Sequence, residues 1–385
     1  MRNYINEISK LIDEGPPSWQ GELSEAIEKL GQSKYLCLFG AGIFGISTMQ
    51  RLNSIGVKVD FFCDNNSSVW GSVISSGIRC IPPTELVKYK SDISVVITAT
   101  KAEAISRQLR DISISRIYGI DSLKIDGWSY FRSAGPHSLK SNILNLLEIV
   151  HDSRSRDIIF NIVAAKVKHK CLCDSYGQFL GLFGSINSPQ QYFTDEIFNL
   201  SDSEVFVDAG AFDGDTLQEF LKIKGNRFSK IIAFEPEKEN YLKLESFVEN
   251  QPVEIRNKIS LHNAGISDVG GVSVISFESV NASFEKDPIG SAPSREVRLV
   301  SLDSHIGEEK VTFIKMDIEG SELKALRGAS SIIRKHRPKL AICVYHRMEH
   351  LWEIPMYIKS LVPEYRIHIR HHSPQEFETV CYANI

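Results

Sequence analysis

Two apolar runs in this chain each end in a glycine-rich turn and continue as a helical stretch. The first is "YLCLFGAGIFGISTMQRL", residues 35–52, with Gly40, Gly42 and Gly45 spaced as GxGxxG. The second is "VFVDAGAFDGDTLQEF", residues 205–220. A buried strand that turns tightly into a helix opens a doubly wound parallel sheet. Two such openings in 385 residues call for two sheets, since one core rarely grows past about 250–300 residues.

The alternation around each opening agrees. "VKVDFFCDN" and "ISVVITAT" follow the first, and "KIIAFEP", "ISLHNAGIS", "VTFIKMDIEG" and "PKLAICVYH" follow the second. Helical periodicity fills the intervals. The closing runs "YRIHIRHH" and "FETVCYANI" form a hairpin that brings one antiparallel strand into a parallel sheet. Residues 1–32 read as short amphipathic helices, 139–170 are helical by period, and 171–203 form an irregular lead-in. The expected fold class is α/β with two Rossmann-like sheets. The expected organisation is an N-terminal domain over 1–135, a helical linker and lead-in over 136–203, and a C-terminal domain over 204–385.

Charge and composition exclude several classes. A net charge of −4 without a basic run gives nucleic acid no electrostatic purchase. No stretch approaches the roughly 20 apolar residues that span a bilayer, and the first residues lack an apolar signal core. The seven cysteines are scattered, mostly inside apolar runs, as in reduced core residues. Cys171 and Cys173 form a lone CxC without a second pair, so no metal site is expected there. A cytoplasmic location follows.

The two glycine loops differ in charge. A pyrophosphate needs backbone N–H groups at a helix N-terminus and no competing anion. "GAGIFG" offers that, whereas "DAGAFDGD" carries Asp208, Asp213 and Asp215. A carboxylate about 4 Å from a phosphate oxygen repels it by roughly 4 kcal/mol at an effective dielectric near 20. The second loop therefore suits a ligand with positive charge and no phosphate, and S-adenosylmethionine (SAM) is such a ligand. Glu235, ending the next strand, is placed to accept hydrogen bonds from ribose hydroxyls.

The stretches "QYFTDEIFNLSDSEVFVDAGAFDGDT", "AFEPEKENY", "IKMDIEGSELKALRGA" and "YHRMEHLWEIPMYIKSLVPEY" resemble the FkbM-type family of SAM-dependent methyltransferases, from about residue 190 to the end. The resemblance implies a seven-stranded methyltransferase fold with a terminal antiparallel hairpin. It also implies methylation of a hydroxyl, often on a sugar or glycosylated small molecule. "FGAGIFG" with "VDFFCDNNSSVWGSVISSGIRCIPPTEL" is similar to the small Rossmann-like domain that precedes many sugar acyltransferases, where it is associated with nucleotide-sugar binding. Gly40, Gly42, Gly45 and Asp64 would form that site. The alternative is that these glycines only let the first helix pack closely on its sheet.

On this resemblance the cofactor residues are Asp208, Gly210, Asp213, Gly214, Thr216, Glu235, Pro236, Asn263 and Ser283. Asp208 would hold the ammonium directly or through water, Gly210 and Gly214 would turn the backbone beside it, and Asn263 or Ala264 would edge the adenine. Helix capping competes for Asp213 and Asp215, and Tyr192 either flanks the cofactor or packs. Asp317, Glu319 and His346 stand at neighbouring strand ends, as a catalytic cluster that takes the acceptor proton. An imidazole near its ordinary value of about 6.5 suits a base. The competing reading is that Asp317 caps the next helix and His346 is a satisfied strand-end histidine. The same three could hold a divalent cation, which is not favoured because no flanking Asp-Asn pair is visible. Glu353, His371, His372 and Glu378 are further polar residues in matching segments, with His371 and His372 on opposite strand faces. The alternatives are a nucleotide-sugar or dinucleotide enzyme working through the first domain, and an inactive methyltransferase-like binding module.

Overall fold

The structure, a computed structural model, describes residues 3–14, 19–99, 102–120, 136–168, 172–173, 190–276, 294–373 and 377–385. The chain divides into two compact units: Met1–Lys140 with Phe160–Gly184, and Ser141–Ile159 with Ser185–Ile385. No helix among the described residues is long and apolar enough to cross a membrane.

The first unit is built on β1 (Tyr35–Phe39), β2 (Phe61–Cys63), β3 (Val73–Ser75), β4 (Ile78–Ile81), β5 (Ile93–Ile97), β6 (Ile117–Ile120) and β7 (Leu172–Cys173). Their order is β3-β4-β2-β1-β5-β6-β7. The strands β4, β2, β1, β5 and β6 pair in parallel, with β3 and β7 antiparallel at the edges. Every residue of β5 is buried, which is why "ISVVI" has no polar face: a parallel strand is covered on both sides. The sequence analysis missed the β3–β4 hairpin and the short β7, each too brief to show a period.

The second unit holds β8 (Val205–Ala209), β9 (Lys230–Phe234), β10 (Ile259–His262), β11 (Gly265–Ile266), β12 (Gly271–Ser276), β13 (Ser294–Val300), β14 (Phe313–Met316), β15 (Lys339–Cys343), β16 (Arg366–His371) and β17 (Thr379–Asn384). Its main sheet runs β10-β9-β8-β14-β15-β17-β16, with only β17 antiparallel to its neighbours. The expected terminal hairpin is present. The small sheet β11-β13-β12 was not expected. Strand order reverses between β8 and β14, and ligands of such sheets bind outside the carboxyl ends at that point.

Phe206 and Phe313 sit opposite one another on β8 and β14, with ring centroids 5.4 Å apart. Phe193 packs on both and on Phe220. Each such ring contributes roughly 1.5–3 kcal/mol by burial. Phe193 and Phe198 belong to the stretch expected to be a lead-in outside the domain. They are buried in its core instead, which fastens the preceding Tyr192 beside the sheet. Asp152 and Glu196 are both tied to edge strand β16, where Arg370 donates to Asp152 at 2.8 Å and to Glu196 at 2.7 Å.

Candidate active site

The second glycine loop is shaped from beneath by a buried ion pair. Asp208 on β8 and Lys315 on β14 are register partners, and Lys315 Nζ lies 3.0 Å from Asp208 Oδ1. The ammonium also donates to Gly210 O at 2.7 Å and stands over the Tyr192 ring. Burial pushes Asp208 up to about 6 against the pull of Lys315. Burial alone would lower Lys315, but Asp208 and Asp317 more than offset it and keep the amine charged. Asp208 is fully buried and paired with Lys315, so it supports the loop from beneath.

Gly210 (φ 83°) and Gly214 (φ 96°) are both left-handed. A Cβ on Gly214 would come within 2.9 Å of the Phe247 ring. Gly214 is the N-cap of the helix Asp215–Lys224, so neither aspartate is its N-cap. Asp213 is half-buried before it, and Asp215 follows it, accepting from Thr216 N at 2.6 Å and Thr216 Oγ1 at 3.3 Å.

Glu235 lies at the end of β9 and closes the loop. Its Oε2 accepts from Phe212 N at 2.9 Å and its Oε1 from Glu237 N at 2.8 Å. Burial raises this carboxyl to about 7. Asn263 donates to the carbonyls of Glu235 (2.8 Å) and Pro236 (3.1 Å), which fixes the turn after β9. Ala264 is buried beside it. Ser283 lies outside the described residues.

The acid cluster forms beyond β14 and β15. Asp317 accepts from Tyr192 Oη at 2.8 Å on one oxygen and from Tyr345 Oη at 3.2 Å on the other. His346 Nε2 lies 3.4 Å from Asp317 Oδ1 and 3.4 Å from Glu319 Oε2. Its Nδ1 lies 2.9 Å from Glu322 Oε1. The His346 side chain is only 8% exposed, against 32% for Glu319. Burial opposes charge on His346, but Glu322, Asp317 and Glu319 outweigh it and raise the imidazole to about 9. The expectation of an ordinary imidazole is therefore corrected: at neutral pH the ring is a cation among carboxylates. Burial raises Glu319 to about 7, with His346 pulling the other way. Glu319 itself sits at φ 53° and Gly320 at φ 95°, a left-handed turn that costs a non-glycine residue roughly 1–2 kcal/mol.

Helix capping is not the role of Asp317, since the next helix, Glu322–Arg327, has Ser321 as its N-cap. Glu378 accepts from Gln191, and Gln191 also donates to Tyr192 Oη at 3.1 Å. Glu353 is exposed on the helix His350–Leu361. His371 pairs with Thr379 Oγ1 at 2.8 Å and His372 with Tyr382 Oη at 2.6 Å. Opposite faces free neither one, because this part of the sheet is covered on both sides. Sequence reasoning missed Lys315, Glu322 and Tyr345. Lys315 alone had a visible signal, being a charge inside an apolar strand.

In the first unit, Gly40 (φ 126°) and Gly45 are packing glycines. A Cβ on Gly45 would lie 2.0 Å from Gly40 O, and one on Gly40 would lie 2.8 Å from Thr98 O. Gly42 has nothing within 4 Å of its Cβ position. Asp64 accepts from Ala41 N and Asn66 N, each at 2.8 Å, and so ties the two loops.

Sheet order and terminal hairpin give the second unit the architecture of the methyltransferase fold class. Residues 208–372 match the methyltransferase FkbM domain. A methyltransferase FkbM from Methylobacillus flagellatus KT is similar over 99% of both chains, with a TM-score of 0.74 at 21% identity, a likeness of fold. A putative rRNA-methylase from Clostridium thermocellum covers 48% of this chain and 89% of its own, at TM-score 0.33 and 10% identity. A UDP-D-quinovosamine 4-dehydrogenase from Vibrio fischeri covers 23% and 79%, at TM-score 0.21 and 20% identity. No curated protein matches the sequence.

Proposed function

We propose that the second unit is a SAM-dependent O-methyltransferase whose acceptor is a hydroxyl on a sugar or glycosylated small molecule. The observation that carries this reading is the Asp317–Glu319–His346 cluster at the strand ends next to the glycine loop. SAM would lie over Gly210 and Gly214, with its ribose at Glu235. Each Glu235 oxygen accepts one backbone N–H, so each keeps a lone pair for a ribose hydroxyl. Asp213, Thr216, Pro236 and Asn263 complete the rim, and Asp208 shapes it through Lys315.

Methyl transfer is an in-line displacement at the sulfonium carbon, and alignment of the acceptor oxygen is its largest requirement. A neutral hydroxyl is a weak nucleophile, so a positioned base adds about 10²–10⁴-fold. Glu319 supplies it, with a carboxyl near 7 that is open to solvent on one side. Asp317, held by two tyrosine hydroxyls, orients the acceptor, and His346 supplies positive charge beside both. Transfer of labelled methyl from SAM to a panel of sugar hydroxyls tests the reading. Glu319→Gln should lower kcat by about 10²-fold or more, and the wild-type rate should rise with pH through about 7, because the carboxylate is the active form. No transfer to any hydroxyl acceptor by protein that binds SAM would contradict O-methylation.

A second ligand site in the first unit is favoured by one observation: the open face of Gly42 at the start of the helix Ile43–Ser54. A nucleotide-sugar phosphate suits it.

A further inference from the structure

Glu322 takes no part in that scheme, yet its carboxylate is fully buried within the cluster. Its Oε1 accepts from Ile318 N at 3.0 Å and Gly320 N at 3.3 Å, and lies 2.9 Å from His346 Nδ1. Its Oε2 lies 3.1 Å from His350 Nδ1. Ile318 and Gly320 flank Glu319, so the two amides are those of the left-handed turn that carries it.

We propose that Glu322 is the positioning residue of this site: one buried carboxylate fixes both the turn that aims Glu319 and the ring of His346 that Glu319 and Asp317 share. The inference rests on the functional reading above and adds a residue that touches neither cofactor nor acceptor.

An anion facing Nδ1 requires a proton on that nitrogen, and only an imidazolium can also offer a proton from Nε2. Nε2 faces Asp317 and Glu319 at equal distances, so the doubly protonated ring sets its positive charge beside all three acids. Burial would raise Glu322, but His346 and His350 outweigh it and hold it well below the usual carboxylate range. The imidazolium in turn pulls Glu319 down, while burial, Asp317, Glu322 and Glu378 push it up. The Tyr345 ring packs on His346, and the Arg347 side chain lies against Gly320 on the outer side of the turn. Removing the charge of Glu322 thus takes away the anion that faces His346 Nδ1, and His346 gives up its proton at lower pH. A residue that merely filled space would not move that titration.

The test is nitrogen-resolved NMR of labelled histidine, with the His346 signal assigned through His346→Asn. In the wild type at pH 7.5 both ring nitrogens carry protons, and titration sets in near pH 9. In Glu322→Gln the titration moves down by about one pH unit or more. Glu322→Asp restores part of that shift. An unchanged His346 titration in a folded Glu322→Gln protein overturns the proposal. So does a neutral His346 ring in the wild type at pH 7.5, a result that needs no variant to fold. SAM titration of the same samples separates the two ideas: wild type that fails to bind SAM sinks the functional reading, while the histidine spectra still decide on Glu322.

Discussion

A Cβ on Gly210 would lie 1.9 Å from the carbonyl oxygen of Asp317. The loop after β8 and the acid cluster after β14 are therefore in backbone contact at the point where strand order reverses. Gly210→Ala adds that clash to a φ of 83° and should destabilise the protein by about 2 kcal/mol or more. Urea unfolding measures it. SAM affinity should fall in the same variant, and wild-type stability with wild-type affinity would contradict the contact.

The Asp208–Lys315 pair invites a second substitution. Lys315→Met leaves a buried carboxylate alone and should cost about 3–5 kcal/mol. The double variant Asp208→Asn with Lys315→Met should recover part of that loss, since no isolated charge remains. A single variant no worse than the double would show that the two do not act as a pair.

His346 makes stability depend on pH. Its imidazole titrates near 9 in the folded chain and near 6.5 when unfolded. The stabilisation is complete below about 6.5 and is lost as pH rises through 9, by up to about 3 kcal/mol. Glu319, raised to about 7, acts in the same sense between its unfolded value and 7. Ligand-free protein should thus melt at falling temperature from pH 6.5 to 9, and His346→Asn should flatten the decline. A melting temperature that rises over this range contradicts the charge assignment.

Gly42 separates the two loops experimentally. Its open Cβ position means that Gly42→Asp should fold normally. It should abolish binding of a nucleotide-sugar while leaving SAM affinity unchanged. If no phosphate ligand from a broad panel binds the wild type, the first loop serves only the packing that Gly40 and Gly45 provide.

Much of this was legible in the residues. Parallel strands buried on both faces leave apolar runs such as Tyr35–Phe39 and Val205–Ala209, the second broken only by Asp208, and glycines mark where each turns into a helix. Asp317, Glu319 and His346 showed themselves as polar residues ending such runs. Glu322 did not, because an acid opening a helix is ordinary and only the fold brings His346 and His350 to it. Tyr192 needed the same convergence, being 125 residues from Asp317 in sequence. Lys315 was the missed clue. A lysine inside a buried strand needs a partner, and Asp208 was the charge at the same level of the neighbouring strand.

Calorimetric titration of the full chain with SAM, in wild type and Glu235→Ala, tests the central claim most directly. Glu235 should be met as a carboxylate accepting from the ribose, and its carboxyl lies near 7. The account predicts one SAM per chain, an affinity that rises as pH passes 7, and a loss of about tenfold or more in the variant, as for a hydrogen bond to a charged group. SAM affinity that is the same in Glu235→Ala as in the wild type, at every pH, would contradict it.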